Sequence, residues 1–555
     1  MTDKATDSAP KTTTDRLDDV FKALNRSDAP GAVVGIAQHG QPIYRRGFGL
    51  ASVEHGVVNT PATRMRIGST SKHFTCFTAL LLAEDGKLDL DAPASTYLPE
   101  LPPLQGMPTL RQFMQHTSGY RCYLDLGFIG NGMGHAALGA PLAAMLRQQD
   151  VNFRPGEGQL YCNGGYLLLS LAIDRVAGKP FEQVLKERLL DPLGLHDTEG
   201  LTSDMTIVPR MVTMHSTDPK GGWRRGTMHD VRGEGNMIST IDDMLRWIGH
   251  LRSDRKVIGK PETWRQLFEP ARLTSGFESI YSLGLFNHRY RGVEVVHHAG
   301  GVLGGNSQML SVPAHALDIA IMINSEAASA AELAMKVIDA LLDDKTVLEP
   351  PIARPAKQGY EYLIGTRYAS TDGLLIGFGE VDGQLGMNFL GAPPMKLRDE
   401  GERLRIGFED IAMGPFVMRT VDLAAGADGE APAGLPFSET GRVEHLRRLP
   451  ATPPDTVALG GELVGRYRSR DANALATITQ AEGALSLLLQ GGYGETHLVL
   501  TACTEDLYVM GRAETPTATL GTLTVKRDGA TITGLGMTTG RTRRLTFVRL
   551  AEGAV

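Results

Sequence analysis

The chain changes character at Glu349-Pro350-Pro351 through Arg354-Pro355. Prolines lock φ and remove backbone donors, so this stretch reads as a stiff linker. Before it, apolar residues recur at helical spacing in several segments. After it that periodicity is gone, and short alternating strands with glycine turns run to the C-terminus, as in barrels or sandwiches. The second part also repeats. Ile364-Gly365-Thr366-Arg367-Tyr368 echoes Val464-Gly465-Arg466-Tyr467, Asp382-Gly383-Gln384-Leu385 echoes Glu482-Gly483-Ala484-Leu485, and Gly391 echoes Gly491, with the glycines of each pair offset by 100 positions. Two similar β-domains joined at Pro450 to Pro454 are expected from that offset. The expected layout is a disordered tail over 1–14, a first domain over 15–345, linkers over 346–356 and 448–459, and β-domains over 357–447 and 460–555.

In the first domain, strands sit at both ends with helical material between them. Ala32 to Ala37, His39-Gly40 and Pro42 to Arg46 read as a β-hairpin with a glycine turn. Glu294-Val295-Val296-His297-His298-Ala299-Gly300-Gly301 reads as a strand leaving into a glycine-rich bend. Leu310-Ser311-Val312 and Asp318 to Asn324 are the next strands, and Ala327 to Leu342 is a closing helix. Between these ends, Leu110 to Gln115 is a short helix running into His116-Thr117-Ser118-Gly119-Tyr120. Tyr161-Cys162-Asn163-Gly164-Gly165 is a glycine-flanked turn, and Tyr166 to Val176 an apolar helix stopped at Gly178. A further helix starts near Ile241, capped by Ser239 or Thr240. This order implies an α+β domain, a mixed antiparallel sheet with a helical subdomain.

One stretch carries chemistry. In Arg66-Ile67-Gly68-Ser69-Thr70-Ser71-Lys72, followed by a helical run from His73 to Asp85, Ser69 and Lys72 share one helix face, so the amine can reach the hydroxyl. A serine becomes a nucleophile when a nearby base takes its proton, and a lysine can do so only when neutral. The helix N-terminus adds N–H groups suited to an oxyanion. S-x-x-K alone is a weak signal, and Ser8-Ala9-Pro10-Lys11 matches it in a polar tail. Context separates the two: Phe74, Phe77, Leu80 and Leu81 follow Ser69 at helical spacing, as for a buried helix carrying a site.

Acyl transfer also needs a proton shuttle and oxyanion donors. Tyr161 offers a phenol that can pass a proton to a leaving group, and Asn163 an amide that can orient the lysine or the substrate carbonyl. His298 precedes Gly300 and Gly301, and the N–H of Gly301 with that of Ser69 can form the oxyanion hole. His116 and His297 read as structural. A net charge of −7 argues against nucleic acid as a partner. No run reaches the length of a membrane span, and no metal-binding or cofactor motif is present. The polar N-terminus and the four scattered cysteines, Cys76, Cys122, Cys162 and Cys503, lead us to expect a cytoplasmic protein with reduced thiols.

Three elements in fixed order, S-x-x-K at Ser69–Lys72, Y-x-N at Tyr161–Asn163 and H-x-G at His298–Gly300, resemble class C β-lactamases, penicillin-binding DD-peptidases and related serine hydrolases. His116-Thr117-Ser118-Gly119 and Gly235 to Thr240 also resemble that pattern. The resemblance covers about residues 20 to 345 and implies a β-lactamase-like fold. It also implies the roles of Ser69 as nucleophile, Lys72 as proton acceptor and donor, Tyr161 as general acid and base, with Asn163 and His298 beside them. Histidine in the third motif, where β-lactamases carry lysine, points toward D-aminopeptidases and esterase-like relatives. A hydrolase domain followed by two antiparallel barrels resembles the bacterial D-aminopeptidases. In those enzymes a last-domain loop enters the active site and an aspartate there recognises the substrate amine.

The matching loop here is Gly491-Gly492-Tyr493-Gly494-Glu495-Thr496-His497. It holds His497 where the aspartate is expected, with Glu495 nearby. We therefore expect a serine hydrolase that releases N-terminal D-residues or cleaves D-amino acid amides and esters. The partner is then a small peptide, amide or ester. The alternatives are an esterase or β-lactam-interacting hydrolase of the same fold, separated from the first reading by the loop, and a non-catalytic receptor, which has no need of the Ser69, Lys72, Tyr161 and His298 set. If the loop does not gate the site, the third domain is a structural or dimer-forming module, which leaves a homodimer open.

Overall fold

The computed structural model describes residues 11–132, 137–218, 220–226, 231–342, 347–349, 359–399, 403–406, 419–422, 430–481, 483–513, 515 and 518–551. The prolines from Pro350 to Pro355, the first ten residues of the expected tail and Glu482 of one repeat lie outside them. The chain forms two compact units. One draws on Met1–Glu84, Lys179–Phe268 and Gly284–Pro351, the other on Asp85–Gly178, Glu269–Leu283 and Ile352–Val555.

The first unit is organised on a six-stranded sheet. Its strands are β1 (Ala32–Gln38), β2 (Gln41–Phe48), β3 (Phe286–Tyr290), β4 (Val293–Val302), β5 (Gly305–Val312) and β6 (Leu317–Ile323). They lie in the order β3-β4-β5-β6-β1-β2, antiparallel at every pairing. The β1–β2 hairpin turns at His39 and Gly40, both at positive φ, which is the primed turn that matches strand twist. Every residue of β6 is buried, as in a strand covered on both faces. Helices Ile241–Arg252 and Ala330–Leu342 pack against it. Thr240 caps the first of these through the N–H of Asp243. From that helix Arg252 reaches Asp318 on β6 at 2.9 Å, and Ser311 donates to the same carboxylate at 2.7 Å.

β4 departs from expectation. It runs on through Gly300 and Gly301, paired with Ser307 and Asn306, and the chain turns only at Leu303-Gly304. The glycines serve close approach rather than a bend. A Cβ at Gly300 would lie 1.9 Å from the Ile67 carbonyl oxygen.

In the second unit, helices α1 (Tyr123–Asn131) and α2 (Asn163–Ala177) accompany two closed eight-stranded barrels. The first barrel closes where Tyr368 pairs with Arg448, the second where Tyr467 pairs with Arg549. Closure removes the exposed strand edges that invite aggregation. The sequence repeat is visible as structure. Glu361–Leu363 and Gly461–Leu463 are equivalent 3-10 turns, and Leu363 and Leu463 are buried under Tyr368 and Tyr467, which are buried too. Among the described residues, no helix is long and apolar enough to cross a membrane.

The Arg252–Asp318 pair gives a direct test of the sheet's helix cover. Arg252→Met leaves a buried carboxylate without its cation and is expected to cost about 3 kcal/mol. The paired change Arg252→Met with Asp318→Asn is expected to recover part of the loss in thermal midpoint. A single variant as stable as wild type would show that the ion pair does not hold this helix.

Candidate active site

Ser69 stands in a 3-10 turn, Gly68–Ser71, that opens directly into the helix Lys72–Glu84. The turn is seated against the sheet. Gly68 has φ +51, and a Cβ there would lie 2.8 Å from the Gly301 carbonyl oxygen and 2.9 Å from its nitrogen. Ser307 donates to the Ile67 carbonyl at 2.8 Å, and Thr70 to the His298 carbonyl at 3.2 Å. Ser71 is used up as structure. Its hydroxyl donates to the Gly68 carbonyl at 2.7 Å and accepts from the Met237 N–H at 3.2 Å. Every residue from Thr63 to Leu82 is buried except Ser69, which is half-buried. Lys72 is fully buried; its Nζ stands 3.0 Å from Ser69 Oγ and donates to the Glu234 carbonyl at 2.7 Å. The carbonyl is an unforeseen partner. Only the glycines flanking it, Gly233 and Gly235, hinted at backbone close to a side chain.

His298 lies in β4, fully buried. Its Nδ1 donates to the Ala299 carbonyl at 2.6 Å, so the lone pair is on Nε2. Burial, and then the charge of Lys72, pushes its pKa down to about 3, so the ring is neutral near pH 7. Burial likewise holds His297 and His73 well below 6.5. Gln308 donates to His297 Nδ1 at 3.1 Å, which leaves His297 Nε2–H to donate to His288 Nε2 at 2.9 Å. Gly301 is exposed, with open space where its Cβ would be, whereas Gly300 is pressed against Ile67. Of the two, Gly301 is the one with room beside its backbone.

Tyr161 and Asn163 belong to the second unit. Asn163 begins helix α2, earlier than the turn expected there. Gly164 and Gly165 are packing glycines rather than turn glycines. A Cβ at Gly164 would lie 2.2 Å from Met145 Sδ, and one at Gly165 3.0 Å from Phe113. The segment is set in place by His116, whose Nδ1 accepts the Cys162 N–H at 3.1 Å and whose ring lies 4.1 Å from that of Tyr161. His116 pays out this support from φ +60, an uncommon conformation for a non-glycine. Cys122 and Cys162 occupy the positions just before α1 and α2. Cys162 donates to Cys122, which lowers the Cys122 thiol and raises its own. All four cysteines are free and buried.

The loop from Gly491 to His497 belongs to the second unit. It sits at the far end of α1. The Tyr493 N–H donates to Asn131 at 3.0 Å, and a Cβ at Gly491 would meet the same side chain. Glu495 to His497 are already strand, and Glu495 accepts from His497 at 2.9 Å. What does lie on Tyr161 is Arg541, its guanidinium 5.4 Å from the ring centre, from the turn before the last strand. Nothing in the spacing of Arg541 marked it, because the contact comes from tertiary structure.

Residues 17–342 match the family model described as Beta-lactamase, more than half of the chain. The chain is 28% identical over 550 residues to the D-aminopeptidase of Cereibacter sphaeroides strain KD131, covering 97% of this chain and 99% of that one. It is 25% identical over 555 residues to the D-aminopeptidase of Gluconobacter oxydans strain 621H, covering 96% and 99%. In fold it is similar to the octameric penicillin-binding protein homologue from Pyrococcus abyssi, with a TM-score of 0.55, 20% identity, and 79% of this chain and 100% of that chain covered. It is also similar in fold to the D-amino acid amidase from Ochrobactrum anthropi SV3, with a TM-score of 0.51, 22% identity, and 60% and 99% covered.

The buried histidines set an acid limit. Their folded pKa values lie below 6.5, so below that pH the unfolded chain binds protons that the native state does not, and stability falls as pH falls. Each contributes up to about 1.4 kcal/mol per pH unit. The thermal midpoint is expected to drop between about pH 7.5 and about pH 5.5, and less so in His73→Phe. Equal midpoints at the two pH values would mean that these rings are charged in the native state.

Proposed function

We propose a function from one premise: this chain belongs to the Beta-lactamase family. It is a serine hydrolase that works through an acyl-enzyme, releasing N-terminal D-residues from peptides or hydrolysing D-amino acid amides and esters. The observation that carries the reading is the single accessible residue of a buried stretch, Ser69, with the Lys72 amine 3.0 Å from its hydroxyl. The D-residue part draws on relatives named D-aminopeptidase that match over almost the whole chain.

In the reaction we assign, neutral Lys72 takes the Ser69 proton as Oγ attacks the substrate carbonyl. The N–H groups of Ser69 and Gly301 hold the oxyanion. Tyr161 returns a proton to the leaving amine, and Asn163 orients the lysine or the carbonyl. Water then releases the acyl group by the same steps in reverse. His298 stays neutral, so it adds no positive charge that would oppose Lys72 taking up a proton. We place this activity in the cytoplasm, on small peptide, amide or ester substrates.

Ser69→Ala is expected to lose on the order of 10³-fold or more in kcat with an unchanged thermal midpoint. Lys72→Arg is expected to be nearly as damaging as Lys72→Ala, because arginine keeps its charge and cannot serve as a base. Paired D- and L-aminoacyl amides, read beside a chromogenic ester, test the substrate. Activity of Ser69→Ala within about tenfold of wild type would move the nucleophile elsewhere. A preference for the L-amide, or turnover of the ester alone, would remove the D-aminopeptidase part and leave an esterase.

A further inference from the structure

The turn from Thr539 to Arg544 carries three arginines, and two of them are spent. Arg543 donates to both oxygens of Glu439, at 2.9 and 2.7 Å. Arg544 donates to Asp372 at 3.3 Å and to the Asn152 carbonyl at 2.9 Å. Arg541 differs. Among the described residues, no carboxylate or carbonyl accepts from its guanidinium, which lies over the ring of Tyr161. An arginine without a partner is ordinary on an open surface, but this one is partly buried on a fixed backbone. Asn152 holds the turn from both sides, donating to the Arg541 carbonyl at 3.1 Å and accepting the Arg543 N–H at 2.8 Å. Thr539 ties it to Asp125 at 2.6 Å and accepts the Arg541 N–H at 3.4 Å. The backbone of Arg541 is therefore held before any ligand arrives, with the guanidinium over Tyr161.

The carboxylates around the turn already have hydrogen-bond partners. Asp125 is engaged by Thr539, and Asp150 and Asp471 by Arg121. Cys122 and Cys162 begin α1 and α2 without side-chain caps, so the N–H groups of two helix ends add to the positive field. The charge of Arg541 is felt at Cys122, whose thiol it helps to lower. Among the described residues no carboxylate is hydrogen-bonded to this planar, five-donor cation, and a carboxylate matches its geometry.

We propose that Arg541 binds a carboxylate of the substrate next to Tyr161. Because Tyr161 is assigned to protonate the leaving amine, the carboxylate belongs on the leaving side. The substrate class is then a short peptide, such as a D-aminoacyl dipeptide, whose second residue ends in a free carboxylate. This rests on the D-aminopeptidase reading and adds to it a determinant on the other side of the scissile bond. It also differs from a loop that recognises only the amine, because the group here is a cation.

The test compares D-alanyl-glycine with D-alanyl-glycinamide, in wild type, Arg541→Gln and Arg541→Lys. Wild type is expected to favour the free carboxylate in kcat/KM, through KM, by about 10- to 100-fold. Arg541→Gln is expected to reduce that ratio at least about fivefold, and Arg541→Lys to restore part of it. An equal loss on both peptides, or an unchanged ratio, would overturn the proposal and leave Arg541 as packing for Tyr161. A parallel calorimetric titration of the same two peptides uses Ser69→Ala with and without Arg541→Gln. If wild type cleaves neither peptide, the D-aminopeptidase reading fails, and the titration decides Arg541 alone. Tighter binding of the acid than the amide, lost in Arg541→Gln, supports the proposal; equal binding of the two, or no binding, overturns it.

Discussion

The first unit depends on a contact with no spare volume. The turn that carries Ser69 lies on β4 so closely that neither Gly68 nor Gly300 has space for a single carbon atom. Ile67, between them, gives its carbonyl to Ser307 and its N–H to Met237. Thr70 extends the seam to the carbonyl of His298. The rest follows from this seating. Because the turn is bound on the sheet side, the helix Lys72–Glu84 leaves in a fixed direction, and Lys72 Nζ meets Ser69 Oγ across one helical step. Because the surrounding residues are buried and the hydroxyl is not, the reactive atom is separated from the packing atoms beside it. Ser71, two residues on, shows the contrast, since its hydroxyl is closed by two backbone partners.

The second unit solves a similar problem with other means. Tyr161 and Asn163 stand at the mouth of a helix that is drawn close to its neighbours by Gly164 and Gly165. His116 holds the preceding backbone through a ring nitrogen, at the expense of a left-handed conformation. The second barrel contributes to this region through the Thr539 to Arg544 turn, which is laced to Asn152 and Asp125. A closed barrel is a stiff mount, since every strand is paired on both sides. The arginine at its rim stands on backbone held by Asn152 and Thr539.

The parts legible in the sequence are those fixed over short range. The Ser69–Lys72 pair follows from helical spacing, the hairpin from His39-Gly40, and the cap from Thr240. The echo of Ile364 to Tyr368 in Val464 to Tyr467 points to two alike β-domains. Glycines are the least legible residues, because a glycine that permits a turn and a glycine that permits contact look the same in one sequence. Gly300 and Gly301 read as a bend and are strand; Gly164 and Gly165 read as a turn and are helix. The remaining gaps are long-range. The Glu234 carbonyl at Lys72, the hold of His116 on Cys162 and the position of Arg541 on Tyr161 join residues 162, 46 and 380 places apart, and no local pattern encodes such pairs. The glycine-rich loop at 491–497 was conspicuous by composition, and its contacts lie at the other end of α1 from Cys122.

The central claim is that Ser69 carries the acyl group. The most direct measurement is the mass of the Ser69 peptide after the enzyme is mixed with a D-aminoacyl ester, quenched in acid during turnover and digested. The expected result is a mass increase equal to the aminoacyl group, on Ser69 and on no other residue, and absent from Ser69→Ala. An ester that is turned over while the Ser69 peptide stays unmodified, or a label found on Ser71 or elsewhere, would contradict it.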